Sequence, residues 1–108
     1  MTENEVKNEI MTYLKIRQIF HWRNNTGRRG TVSYGFPGSA DIIGILPTGH
    51  FLGIECKCDT GKQSDKQKEF ELNVNVNNAL YILAYSVDDV KKGLEEWETN
   101  PNRSKKGL

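Results

Sequence analysis

The chain has 108 residues, a length for one domain with a modest core, and its 36% hydrophobic and 27% charged content is that of an ordinary folded globule. No stretch approaches the ~20 apolar residues of a membrane span. The polar, acidic start Met1-Thr2-Glu3-Asn4-Glu5 is no secretory signal, so the expected location is cytoplasmic. A net charge of +1 gives no global basic field, and any nucleic-acid role must rest on local patches.

The first predicted element is a helix. Thr2 suits the N-cap, Glu3 and Glu5 fall where the helix dipole favours acids, and Val6, Ile10, Met11, Tyr13 and Leu14 recur at helical spacing. Ile19 to Arg23, short, aromatic and branched, reads as a strand. Asn24 to Gly38 carries four glycines, a proline and the pair Arg28-Arg29, and reads as an irregular excursion with a short strand at Thr31 to Tyr34. Asp41 to Leu46 is a branched apolar strand, Pro47-Thr48-Gly49 a turn, and Phe51 to Cys58 the next strand.

Asp59 to Ser64 is a polar loop, and Ser64 caps a second helix running to about Val76, with Gln67, Phe70, Leu72 and Val74 along it. Ala79 to Tyr85 holds no charge, as a buried central strand would. Ser86 caps a third helix whose Val87, Val90, Leu94 and Trp97 share a face. The order αβββαβα describes one α/β domain over residues 1–98, a mixed sheet flanked by helices. Residues 99–108, with Arg103, Lys105 and Lys106, read as a polar, basic tail.

Chemistry concentrates at the predicted hairpin. Glu55 and Lys57, two apart on a strand, point to one face. A loop centred on Thr48 or Thr48-Gly49 makes paired positions sum to roughly 96 or 97, which sets Asp41 opposite Glu55 or Cys56, about 5 Å away. Two carboxylates and an ammonium among Ile42, Ile43, Ile45, Leu52 and Ile54 are costly to bury unless they are there for a ligand. Asp41 and Glu55 are hard oxygen ligands for Mg²⁺, and the backbone carbonyl of Cys56 lies between them. Lys57 would orient a nucleophilic water or stabilise developing negative charge. An interstrand salt bridge is the competing reading of Glu-x-Lys.

Five segments in order carry a further reading. They are Thr2-Glu3-Asn4-Glu5-Val6, Phe20-His21-Trp22-Arg23-Asn24-Asn25-Thr26-Gly27, Gly38-Ser39-Ala40-Asp41-Ile42-Ile43-Gly44, Ile54-Glu55-Cys56-Lys57 and Gly61-Lys62-Gln63-Ser64-Asp65-Lys66-Gln67. From about Thr2 to Trp97 the chain resembles the VRR-NUC nucleases of the PD-(D/E)XK superfamily, and one departure is Ala40 where that family has proline. The resemblance implies a restriction-endonuclease-like fold and a metal-dependent endodeoxyribonuclease. It implies Mg²⁺ or Mn²⁺ on Asp41 and Glu55, catalysis by Lys57, and Gln67 in the active site. An acid of the first helix, Glu3 ahead of Glu5 and Glu9, would complete the metal site. Small stand-alone members resemble phage proteins that act as homodimers on branched DNA such as four-way (Holliday) junctions, in a bacterial or phage-infected cytoplasm.

Around that centre, Arg23, Asn24, Asn25, Arg28 and Arg29 are the expected DNA contacts, extended by Lys62, Lys66 and Lys68 beside Gln67. Cys56 and Cys58 are expected as reduced thiols, Cys56 facing a core, because Cys-x-Cys on a strand suits neither a disulfide nor a zinc knuckle. Trp22 and Trp97 are expected in packing. Two other functions compete: a non-catalytic DNA-binding module, which binding without cleavage would reveal, and an RNase or a nuclease subunit needing a partner, which substrate competition would reveal.

Overall fold

Two capping boxes fix where the first two helices begin. In the computed structural model, Thr2 Oγ1 accepts the Glu5 N–H at 3.1 Å while the Glu5 carboxylate accepts the Thr2 N–H at 2.7 Å, and α1 runs Glu3–Ile16. Ser64 and Gln67 repeat the arrangement at the start of α2, Asp65–Val76. Ser86 caps α3, Val87–Thr99. The structure describes residues 1–100, and every side chain among them except that of Arg28. The predicted tail, with Arg103, Lys105 and Lys106, lies outside the described residues past Asn100.

Six strands follow in chain order: β1 (Phe20–Arg23), β2 (Gly27–Arg29), β3 (Val32–Tyr34), β4 (Ile42–Ile45), β5 (Phe51–Cys56) and β6 (Leu80–Ala84). The main sheet is ordered β1-β4-β5-β6. Its first two pairings are antiparallel, and β5 pairs with β6 in parallel through the α2 crossover. Without β2 and β3, the chain order is the expected αβββαβα. The excursion from Asn24 to Gly38, read as irregular with one short strand, instead folds as a separate two-stranded ribbon, β2-β3.

The helices divide between the two faces. Val6, Ile10 and Leu14 of α1 and Val90 and Leu94 of α3 close over Ile42, Leu52, Ile54, Cys56, Ile82 and Ala84. On the other face α2 lays Val74 and Phe70 against Ala40, Ile43, Tyr81, Phe51 and Leu83. Leu72, expected on the packed stripe, is exposed, because it lies two residues from both Phe70 and Val74 and so on the opposite side of the helix.

Two expectations are corrected by the strand order. β6 is an edge strand, not a central one; it lacks charge because both its faces are covered, Ile82 and Ala84 by one helical layer and Tyr81 and Leu83 by the other. Trp22 is 43% exposed instead of buried. α2 packs over β6, which leaves the same face of edge strand β1 uncovered, with Phe20, Trp22 and Ile45 exposed. Trp97 does pack against the core, edge-on to His50 at 5.0 Å between ring centres.

Candidate active site

The hairpin register settles the first question about the site. Ile42 pairs with Ile54 and Ile45 with Phe51 around the Pro47-Thr48-Gly49 turn, closed by the Leu46 N–H to His50 O bond of 2.9 Å. Continued by one pair, that register sets Asp41 across from Glu55. Asp41 Oδ2 accepts the Cys56 N–H at 2.8 Å, so the aspartate is locked onto the backbone of the neighbouring strand. The Cys56 side chain points the other way, fully buried in the core under α1 and α3, and burial pushes its thiol up to about 12. It is an inert thiol.

Glu55 is the one buried charged residue of the described core, 2% exposed. Its Oε2 accepts from Gln67 Nε2 at 2.9 Å and faces Lys57 Nζ at 3.6 Å. Its Oε1 is buried and meets no hydrogen-bond donor of the protein. A carboxylate oxygen in that position carries an uncompensated desolvation cost. Burial, and next the negative charge of Asp41 beside it, push the Glu55 carboxyl up to about 8, with Lys57 pulling weakly the other way. Without a cation, Glu55 therefore holds a proton near neutral pH.

Each remaining expected residue has a definite place. Lys57, mostly covered, runs its stem along Gly61. Gln67 is held from both sides, because its Oε1 accepts the Ser64 N–H at 2.8 Å while its amide reaches Glu55. The capping box that starts α2 thereby aims the glutamine into the site. Glu3 is exposed in the first turn of α1, and Glu5 spends its carboxylate on the cap.

The α1 residue that touches Asp41 is Lys7, with Nζ 3.7 Å from Oδ1. Sequence reasoning missed Lys7. The available signal was its spacing of four from Glu3, which puts both on one helical face. Asn24, read with Asn25 among the residues for phosphate contact, instead ties down the approach to Asp41: its N–H donates to Asp41 O at 2.8 Å and its side-chain amide donates to Ser39 Oγ and Ala40 O.

The expected DNA-contacting residues are spread over β1, the ribbon with the residues before it, and the approach to and first turn of α2. Arg23 is exposed, but its guanidinium lies on α1, donating to Asn4 Oδ1 at 3.1 Å and Asn8 Oδ1 at 2.7 Å. Lys62 and Lys66 are exposed on the loop before α2 and in its first turn. Arg29 belongs to the ribbon, and Asn25 lies two residues before the ribbon starts. Arg28 pairs with Ser33 in the ribbon backbone, and its side chain lies outside the described residues.

Among the described residues no three His, Cys, Asp or Glu side chains converge as a ready-made metal cage. Asp41 and Glu55 supply two hard oxygen donors, one of them the unpartnered Oε1. That donor set suits Mg²⁺ or Mn²⁺, which are commonly held by one or two carboxylates and keep several waters. It does not suit a structural zinc, which requires four closed ligands. No family model matches the chain, and no curated protein matches it. No helix among the described residues is long and apolar enough to cross a membrane.

Proposed function

We propose that the chain is a divalent-metal-dependent DNA endonuclease, and the observation that carries this reading is the buried, unpartnered Glu55 Oε1 beside Asp41, with Lys57 on the same carboxylate. The residues that would hold Mg²⁺ or Mn²⁺ are Asp41 and Glu55, with the Cys56 carbonyl and Glu3 as further candidates. When bound, the ion supplies Lewis-acid polarisation of a phosphodiester and a more acidic water. Lys57 places a cation within 3.6 Å of Glu55, where it orients the attacking water or balances charge building on the phosphate. Gln67 fixes the Glu55 rotamer through its 2.9 Å bond and holds the liganding oxygen in place. Lys7 holds Asp41 from the opposite side.

The resemblance to VRR-NUC nucleases, and through them to the restriction-endonuclease-like fold, supports the same chemistry, and the αβββαβα order agrees with it. We extend the proposal to branched DNA, four-way junctions above all, and to a homodimer acting in a bacterial or phage-infected cytoplasm. One centre cuts one strand, and a second copy supplies the cut in the other. The uncovered Phe20, Trp22 and Ile45 on β1 and β4 offer apolar area for that association.

The test is a cleavage panel with a mobile four-way junction, linear duplex and RNA, in Mg²⁺ and in chelator. The expected result is Mg²⁺-dependent cutting of the junction, reduced roughly 10²–10³-fold by Lys57→Ala and at least as far by Asp41→Ala. Equal cutting by the variants would overturn the site. Cutting of duplex but not junction would overturn the substrate, and binding without any cutting would leave the module reading in its place.

A further inference from the structure

The β2-β3 ribbon has no role in the centre just described, yet it carries a shaped surface. Its register pairs Gly27 with Tyr34, Arg28 with Ser33 and Arg29 with Val32. Gly27, Tyr34, Arg29 and Val32 thus share a face. Arg29, Val32 and Tyr34 of that face, with Asn25 and Thr26, line an open cavity of about 630 Å³. A volume of that order accommodates a small-molecule-sized ligand such as one nucleotide.

The cavity wall is built around an aromatic ring. A Cβ on Gly27 would fall 2.9 Å from Tyr34 Oη and 3.1 Å from Cζ, so the glycine gives the ring room to lie across the ribbon where a side chain would push it aside. Tyr34 remains 44% exposed and Val32 64% exposed. Around the ring stand an amide, Asn25, and an exposed guanidinium, Arg29. A π-face, an amide and a guanidinium are the groups that take up an unpaired nucleotide: the ring stacks the base, the amide reads its edge, and the guanidinium takes the phosphate.

The ribbon is also anchored at the catalytic end of the sheet. Asn24, the residue before the cavity's Asn25, donates its N–H to the carbonyl of Asp41. Gly35, just past β3 at the same end of the ribbon, packs against the Asn25 carbonyl, where a Cβ would come within 2.7 Å. Arg29 lies five residues past Asn24, at most about 18 Å of extended chain. Successive base pairs stack about 3.4 Å apart, so the cavity serves nucleotides within roughly five of the phosphate held at Asp41 and Glu55.

We infer that the Arg29–Tyr34 face of the ribbon, with Asn25 before it, is a binding site for one unpaired nucleotide within about five nucleotides of the cleavage point. The inference rests on the nuclease reading and names what that site recognises, namely a base outside the stack, as at a flap, a bulge or an opened branch point. It distinguishes such DNA from continuous duplex, in which every base is stacked and out of the ring's reach.

The experiment uses the full chain carrying Asp41→Asn to prevent cutting, with two DNAs of equal length, one fully paired and one with an unpaired 2-aminopurine nucleotide. Fluorescence of the 2-aminopurine and the affinity for each DNA are measured for Tyr34 as it stands, Tyr34→Phe, Tyr34→Leu and Arg29→Ala. The expected result is tighter binding of the unpaired DNA with quenching of the probe. Tyr34→Phe should retain both, whereas Tyr34→Leu, which keeps apolar bulk without a π-face, should lose the quenching and roughly tenfold in affinity for that DNA alone. Arg29→Ala should weaken the binding of both DNAs. Unchanged quenching and preference in Tyr34→Leu would overturn the inference while leaving the nuclease reading intact. If the chain with native Tyr34 bound neither DNA, the nuclease reading itself would fall, and the inference with it.

Discussion

At the scale of single residues, Glu55 decides how the site behaves. A carboxylate that is 2% exposed, with one oxygen lacking a donor and Asp41 beside it, favours its neutral form. Its folded-state titration lies near 8, above the ordinary carboxylate value of 4.5. An acid whose folded value is raised stabilises the fold fully below its unfolded value, and that contribution is lost as pH rises toward the folded value. In chelator, the protein should therefore lose stability from about pH 4.5 to pH 8, by no more than roughly 5 kcal/mol, since each tenfold change in proton affinity is worth about 1.4 kcal/mol. Cys56 and Tyr81 are also raised, but burial puts both far above this window. Urea unfolding at pH 5 and pH 8 should show the decline in the native chain and a much flatter response in Glu55→Gln. Parallel responses would show that the carboxylate does not titrate as its surroundings require.

At the scale of elements, the site is assembled where a strand, a helix cap and a close backbone approach meet. Gly38, with φ near +81°, sits so tightly on the start of α2 that a Cβ would come 2.4 Å from Lys66 O. Phe36 packs edge-on against Phe70 at 5.9 Å beside it. This contact fixes the chain leading into Asp41 relative to the cap that aims Gln67 at Glu55. Gly38→Ala introduces both backbone strain and a clash, and should destabilise the fold by about 1–3 kcal/mol. It should also lower catalysis at temperatures where the protein is still folded, because Asp41 and Gln67 then lose their common frame. Chemical denaturation beside a cleavage assay on the folded protein measures the two effects separately. An alanine variant as stable and as active as the native chain would show that the approach is not needed.

Which of these elements the sequence discloses depends on the range of the interactions. Caps and periodicity are local, so Thr2, Ser64 and Ser86 mark the helix starts, and Val6, Ile10 and Leu14 mark the packed face of α1. The hairpin turn is local too, and it carries the Asp41–Glu55 pairing with it. The order of strands in the sheet is not local. An uncharged Ala79 to Tyr85 looks central, yet cover on both faces produces the same composition at an edge. Trp22 looks like core, yet its burial depends on how far α2 reaches across the sheet. The ribbon was half legible, since glycines and a proline announce turns but do not reveal that Gly27 and Tyr34 pair. Lys7 escaped because a lysine in an amphipathic helix is usually solvated, and only the three-dimensional approach to Asp41 singles it out.

At the scale of the whole molecule, one sheet with helices on both faces delivers Asp41, Glu55, Lys57, Gln67 and Lys7 to one end, from β4's leading edge, β5, α2 and α1. The central claim is that the buried oxygen of Glu55 beside Asp41 is there for a divalent cation. Calorimetric titration of Mn²⁺ into the full chain at pH 7, in two buffers of different ionisation enthalpy, tests it most directly. The expected result is saturable binding with release of about one proton, since a liganding carboxylate must give up the proton it holds near neutral pH. Affinity should be at least about tenfold weaker in both Asp41→Asn and Glu55→Gln. Absence of saturable binding, or binding of equal strength in both variants, would contradict the claim.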